Sequence, residues 1–327
     1  MPQISVQNLT KTYRVPERES GLLASLTSLV QRQYRDVKAV QAVNFTIEPG
    51  EMVALLGPNG AGKTTTLKML AGLLRPSSGE ATVAGFVPWE RQHDYLRRIS
   101  MVLGNKSQML WDIPPLDTFT VLAEIHQISH SDFQHTLDEL VNLLEMEPLL
   151  NKPVRNLSLG ERMKCELVAS LIHRPRVLFL DEPTLGLDVS MQRRLRQFLT
   201  EYNRQSEVTM ILTSHYMADV VALCRRVILI HHGEQMYDGS LQGLAKRLAP
   251  FKLIRVTLGE AINGGVKLPT NAEVVTQETD SLTLRSPRDA TPAVTAQLLQ
   301  TLPVVDLAVE DPPIEAVMDQ IYSGGNL

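Results

Sequence analysis

Gly57-Pro58-Asn59-Gly60-Ala61-Gly62-Lys63-Thr64 is the stretch on which the reading of this chain turns. Val53 to Leu56, an apolar run, leads into it as a short buried strand. Thr64-Thr65-Thr66-Leu67-Lys68-Met69-Leu70 carries on from it as the first turns of a helix. Glycines let the backbone turn tightly, so that successive N–H groups face inward toward phosphate oxygens. A helix N-terminus favours an anion at the same place. In such a G-x-x-x-x-G-K-T loop, Lys63 reaches the β- and γ-phosphates and the Thr64 hydroxyl holds Mg²⁺. Strand, loop, lysine and hydroxyl in this order argue against a chance glycine-rich turn and for a nucleoside triphosphate.

A second constellation lies far downstream. Val177 to Leu180 is a continuous apolar run, as expected of a parallel strand buried on both faces. Asp181 then stands at the carboxyl end, where open α/β sheets bind ligands. It is expected to hold the metal, through water. Glu182 follows directly and can polarise an attacking water, since phosphoryl transfer asks for an oriented nucleophile more than for covalent chemistry. The plain alternative is a strand ending in two solvated acids.

Four further segments bear on that choice. Leu157-Ser158-Leu159-Gly160-Glu161 resembles the signature LSGGQ of the ABC ATPases. Asp181-Glu182-Pro183-Thr184 with Leu185-Gly186-Leu187-Asp188 resembles their extended Walker B and D-loop. Thr213-Ser214-His215 resembles the switch-histidine segment, and Thr12-Tyr13 the aromatic A-loop. Over residues 3 to 240 the chain therefore resembles the ATP-binding subunits of ABC transporters, and among them those of drug, antibiotic and polysaccharide exporters.

The resemblance implies an α/β fold, a P-loop NTPase core of ABC type with a helical subdomain, and ATP and Mg²⁺ as ligands. Gly57, Pro58, Asn59, Gly60, Ala61, Gly62, Lys63, Thr64 and Thr65 would cradle the phosphates. Tyr13 would stack on adenine; an ordinary strand tyrosine is the other reading. Ser158, Gly160 and Glu161 would face the γ-phosphate of ATP held by a second subunit, with the dipole of a helix over 161–172 behind them. His215 would hydrogen-bond the γ-phosphate, although a lone histidine is more often a satisfied core residue. Asp188 would sit at the dimer seam and help orient Glu182 across it. Lys63, Asp181, Glu182 and His215 are the catalytic candidates.

Two departures from the family pattern stand out. Leu159 replaces the second signature glycine, and leucine takes a positive φ less cheaply than glycine does. Either that position is not left-handed here or a contact is lost. The Q-loop glutamine is also displaced: within Ile99 to Pro114 its place falls by spacing on Asn105, with Gln108 three residues later. Either amide would serve as the further metal ligand beside Thr64 and Asp181.

Composition agrees with an intracellular enzyme. The chain has 327 residues, 43% hydrophobic and 21% charged, enough for more than one domain. A net charge of −4 supplies no general basic field for nucleic acid. Cys165 and Cys224 make no disulfide framework and lack metal-ligand spacing. No apolar run approaches about eighteen residues, so a membrane partner would be a separate polypeptide. That places the expected location at the cytoplasmic face of the membrane, through a transmembrane permease.

The expected domains are an ATPase domain over 1–240 and a small α+β domain over 241–327. Within the first, 86–165 would form the helical subdomain. Phe119, Leu122, Ala123 and His126 share one helical face, and Phe133, Leu137, Leu140, Val141 and Leu144 another. Trp111 belongs either to a permease-facing surface or to the core. Residues 15–38 read as an insertion carrying an amphipathic helix (Leu22, Leu23, Leu26, Leu29, Val30), packed on its own core or resting on lipid or permease. In the tail, 252–258, 273–277, 281–285 and 304–309 alternate like strands, and 292–301 and 313–322 look helical. His231-His232 reads as a solvated hairpin turn. The expected function is ATP-driven closure of a pair of such subunits, identical or related, that powers an exporter. The rival is a soluble ABC-type ATPase acting on ribosomes or nucleic acid.

Overall fold

The computed structural model describes residues 1–16, 34–104, 106–259 and 269–313. The chain divides into two units, Met1–Gly239 and Ser240–Leu327. In the first, buried Ile4, Val6 and Leu9 fix the inner side of β1 (Ile4–Pro16). Val43, Phe45 and Ile47 do the same for β2 (Tyr34–Ile47). These strands pair antiparallel, from Ile4 opposite Ile47 to Pro16 opposite Tyr34. β3 (Met52–Leu56) is buried from Val53 onward and runs through the glycine loop into α1 (Lys63–Leu70). β4 (Ser78–Val83) pairs with β1 and completes a three-stranded sheet, order β2-β1-β4.

A short helix α2 (His93–Leu96) precedes β5 (Ile99–Leu103). Three helices follow: α3 (Pro115–His126), α4 (His130–Leu144) and α5 (Leu159–Leu171). The chain then returns as β6 (Val177–Asp181), α6 (Val189–Ser206), β7 (Thr209–Thr213), α7 (Met217–Leu223), β8 (Arg226–His231) and β9 (Glu234–Ser240). The second sheet has the order β5-β6-β7-β3-β8-β9. Its first five strands are mutually parallel, so their carboxyl ends share one edge; Leu103, Asp181 and Thr213 stand in register there. Between the two sheets Leu67 and Leu70 of α1 meet Val40, Val53, Leu55, Phe179 and Ile228 in one apolar core. Cys165 and Cys224 are free and buried, and burial pushes both thiols up to about 12.

Two sequence-based boundaries shift. The region 86–165 is not helical throughout: β5 pairs parallel with β6 as part of the core sheet, and α5 runs on to Leu171. The helices α3 and α4 and the start of α5 fall within that region. Phe133, Leu137, Leu140, Val141 and Leu144 all lie on the buried face of α4, and on α3 Phe119 and Ala123 are buried with Leu122 and His126 half-buried. Of the insertion expected at 15–38, Val15-Pro16 and 34–38 belong to the β1–β2 ladder. Its amphipathic helix lies outside the described residues, as do residues 314–322 of the helix expected over 313–322.

The second unit opens with α8 (Leu241–Leu248), capped by the Ser240 hydroxyl oxygen, which accepts the Gly243 N–H at 3.0 Å. The sequence reading missed this helix, although a serine cap before an L-x-x-L spacing was a usable signal. β10 (Phe251–Leu258), β11 (Glu273–Gln277), β12 (Ser281–Pro287), α9 (Thr291–Thr301) and β13 (Val304–Glu310) follow. They build an antiparallel sheet of order β11-β12-β10-β13. Period-two residues Ile254, Val256, Leu282 and Leu284 meet Val294 and Leu298 of α9. Leu298 is fully buried there, so Leu298→Ala is expected to destabilise this unit by about 2–5 kcal/mol. Hydrogen exchange should quicken in β10 and β12 while β3, β6 and β7 keep their protection.

Candidate functional site

The loop after β3 is held by main chain on three sides. A Cβ on Gly57 (φ 145°) would lie 2.0 Å from the Ile230 carbonyl oxygen, and one on Gly62 (φ 107°) would lie 2.3 Å from that of Ala39. Nothing but glycine fits at either position. The Gly233 N–H donates to the Ala61 carbonyl at 3.0 Å, and the Ala61 N–H to that of Pro58 at 3.1 Å. The His232-Gly233 turn between β8 and β9 is therefore not merely a solvated hairpin: it props the glycine loop. Asn59 and Gly60 form the exposed tip. Thr64 and Thr65 lie in the first turn of α1, which carries no acidic residue.

Lys63 is 6% exposed. Its ammonium donates to the carbonyls of Gly57 (2.6 Å) and Pro58 (3.0 Å). Burial lowers its pKa, and the charges of Glu182 and Asp181 oppose that. Among the described residues no carboxylate stands within ion-pair distance of it. A buried cation resting on carbonyls alone fits a phosphate anion.

Asp181 gathers the other strand ends. Its Oδ1 accepts the Thr64 hydroxyl at 3.0 Å and the Thr213 hydroxyl at 2.7 Å. Two hard oxygens, Thr64 Oγ1 and the Asp181 carboxylate, thus stand side by side, the donor type that Mg²⁺ takes alongside substrate phosphates. The Glu182 N–H donates to the Thr213 carbonyl (3.0 Å) and hydroxyl (3.1 Å). Glu182 itself sits at φ 55°, a left-handed backbone that a non-glycine residue adopts only when its surroundings impose it. Its Oε1 lies 2.7 Å from His215 Nε2. His215 is thus paired with Glu182 in this structure.

Sequence reasoning missed Asp219 of α7. It is wholly buried, accepts the hydroxyls of Thr184 (2.5 Å) and Ser214 (2.7 Å), and pairs with Arg196 at 2.7 Å. The one carboxylate ties the segment after Glu182 to the segment before His215. An acid one helical turn beyond His215 was the only local sign of it.

The signature segment is built as a helix start. The Ser158 hydroxyl oxygen accepts the Glu161 N–H at 3.3 Å, and Glu161 Oε2 accepts the Ser158 N–H at 2.8 Å, a capping box. That backbone bond lowers the Glu161 pKa. Leu159 is the first helical residue and has no positive φ, so the leucine costs no backbone strain. It is 47% exposed, and a Cβ on Gly186 would lie 3.1 Å from its Cδ2. Gly160 stands equally close to Met191, its would-be Cβ 2.9 Å from the Met191 side chain. Asp188 caps α6: Oδ1 accepts the Ser190 hydroxyl (2.7 Å) and the Met191 N–H (2.9 Å), and these bonds lower its pKa. Ser158, Glu161 and Asp188 thus make their contacts within their own helix starts, apart from Lys63 and Asp181.

Tyr13 is 38% exposed on β1, opposite Val37 and two residues along from the Ala39 carbonyl that touches Gly62. Lys11 Nζ lies 5.4 Å from its ring centre. Asn105 lies outside the described residues. The Gln108 N–H donates to Glu166 on α5, and the residue lines a cavity of about 220 Å³ with His126 and His173. Trp111 is half exposed, with the Arg162 guanidinium 4.4 Å from its ring centre.

Comparison with known proteins bears on the same residues. The profile of the family described as ABC transporter matches residues 40–185, from the strand beside the glycine loop to just past Glu182. A second profile, EvrA-like ABC transporter, C-terminal domain, matches 250–310 in the second unit. ABC transporter ATP-binding protein NatA of Bacillus subtilis is 36% identical over 217 residues, covering 65% of this chain and 88% of that one. Probable multidrug ABC transporter ATP-binding protein YbhF of Escherichia coli is 31% identical over 261 residues, 79% of this chain and 44% of that longer one. A solved dimeric ATP-binding cassette, in a post-hydrolysis state with ADP and Pi, aligns with a TM-score of 0.60 at 23% identity. It covers 73% of this chain and 98% of its own, a likeness of fold. With the glycine loop, Asp181-Glu182 and His215 on one sheet edge, and a relative matched over most of its length, this chain belongs to the ATP-binding proteins of ABC transporters.

Proposed function

We propose that this chain is the ATP-hydrolysing subunit that drives a separately encoded transmembrane exporter, two copies or two related subunits closing on ATP. The observation that carries this reading is the split of the site. Lys63, Thr64, Asp181, Glu182 and His215 converge at one sheet edge, whereas Ser158 makes its contacts with Glu161 at a helix start of its own. Around that start and the loop before α6, Leu159 (47%), Leu185 (41%) and Val189 (79%) stand exposed, apolar surface that a second subunit would cover. The multidrug description of YbhF is what favours export. Peripheral attachment to the cytoplasmic face of a membrane follows from this reading; among the described residues no helix is long and apolar enough to cross one.

The residues divide the work. Lys63 would exchange its two carbonyl partners for β- and γ-phosphate oxygens, while the glycine-loop amides and the start of α1 hold the rest. Tyr13 would stack against the base. Thr64 and Asp181 would hold Mg²⁺, which when bound neutralises charge between the phosphates. Glu182 would orient and deprotonate the attacking water, and His215, already hydrogen-bonded to it, would steady that carboxylate and sense the γ-phosphate. Ser158 and the Gly160 amide would complete the site of the opposite subunit. Asn105, next in sequence after Gly104, whose N–H donates to the Asp181 carbonyl at 2.9 Å, or Gln108 would supply the further amide to the metal.

Glu182→Gln is expected to keep ATP affinity and lower turnover by about 10²–10⁴-fold, the usual contribution of a general base. It should also accumulate an ATP-bound dimer on size exclusion; rapid turnover by this variant would remove Glu182 from the mechanism. Asp219→Ala should destabilise the first unit by about 3–5 kcal/mol in urea titration, because Arg196 would lose its buried partner. Purification from membranes should bring down a polytopic membrane protein; ribosomes or nucleic acid in its place would overturn the transporter reading.

A further inference from the structure

Glu166, two turns beyond Ser158 on α5, is 4% exposed. Its carboxylate accepts the Ser107 hydroxyl, the Gln108 N–H at 3.0 Å and 3.2 Å, and the Met109 N–H at 3.4 Å. One turn closer to Ser158, Arg162 lies over Trp111, whose carbonyl accepts the Arg155 N–H at 3.0 Å. The segment 107–111 therefore runs along α5 toward the signature. Earlier in the chain, Gly104 is pressed on the catalytic backbone: its N–H donates to the Asp181 carbonyl, and a Cβ there would lie 2.2 Å from the Glu182 carbonyl oxygen.

Folding alone does not call for this carboxylate. Ser107 and Gln108 are exposed, so water could serve their polar groups, the buried Met109 N–H also has the Ser107 hydroxyl oxygen at 3.1 Å, and burying the carboxylate costs desolvation that pushes its pKa up. What it adds is directional: several charge-assisted hydrogen bonds hold three consecutive residues in one register on a helix. We propose that Glu166 is a positioning residue for ATP hydrolysis: by fastening residues 107–109 to the signature helix it keeps the chain that follows Gly104 in the register the catalytic edge requires. This rests on the assignment of Glu182 as general base.

The test uses the purified full-length chain and its Glu166→Gln, Ser107→Ala and doubly substituted variants. Mg-ATP turnover is measured at saturating ATP, nucleotide affinity with a fluorescent ATP analogue, and stability by thermal melting. Glu166→Gln should lower kcat about tenfold, the size of one lost charged hydrogen bond, with analogue affinity within about twofold. Ser107→Ala, at an exposed position, should fold normally and lower kcat about threefold, and the double variant should be no slower than Glu166→Gln alone. Wild-type kcat in both single variants overturns the proposal, and so do losses of kcat, affinity and melting temperature that run in parallel. Wild-type turnover that Glu182→Gln leaves intact overturns the general-base assignment and this inference with it. Turnover that Glu182→Gln abolishes and Glu166→Gln leaves unchanged overturns this inference alone.

Discussion

One oxygen atom, Asp181 Oδ1, holds the site in register. It receives hydroxyls from Thr64, which follows β3 and its loop, and from Thr213, the last residue of β7. Three strand ends are thereby tied at a single acceptor. The parallel sheet makes this possible, since only aligned strands bring three carboxyl ends to one edge. Glu182 inherits its position from the same knot, its N–H bonded to both oxygens of Thr213. The left-handed backbone at Glu182 is stabilised by these bonds and by Asp219, which anchors the next segment through Thr184.

The helical layer contributes geometry of another kind. A capping box closes the start of α5 and an aspartate closes that of α6, so both present amide-rich ends with few internal degrees of freedom. Leu159 against Gly186 and Gly160 against Met191 lock the two helix starts to each other by shape. A signature that departs from the family pattern is thus accommodated by packing, with a helical φ at the leucine instead of a strained one.

The parts that the sequence revealed are those with local signatures. β3 and β6 read as apolar runs because both faces are covered, and α4 shows a clean helical face because one side is buried. β5 leaves a weak trace in the sequence because Ser100 interrupts a short strand at the sheet edge. The outer ends of β1 and β2 are exposed on both sides, so no alternation marked them as strands. Asp219 left almost no trace: its partners Thr184 and Arg196 lie 35 and 23 residues away, and only the fold assembles them. Gln108 shows the converse, since an amide near the expected place says nothing of where its backbone is fastened.

The glycine loop touches its surroundings through carbonyls and amides of Ala39, Ile230 and Gly233. Main-chain carbonyls are the same for every amino acid, and the amide is lost only at proline. The shape of the phosphate seat is therefore indifferent to drift in the side chains at positions 39 and 230, provided the strands keep their spacing. Neighbouring sequence can diverge widely between relatives while the seat keeps its dimensions, and its tolerance to substitution ends abruptly at the glycines themselves.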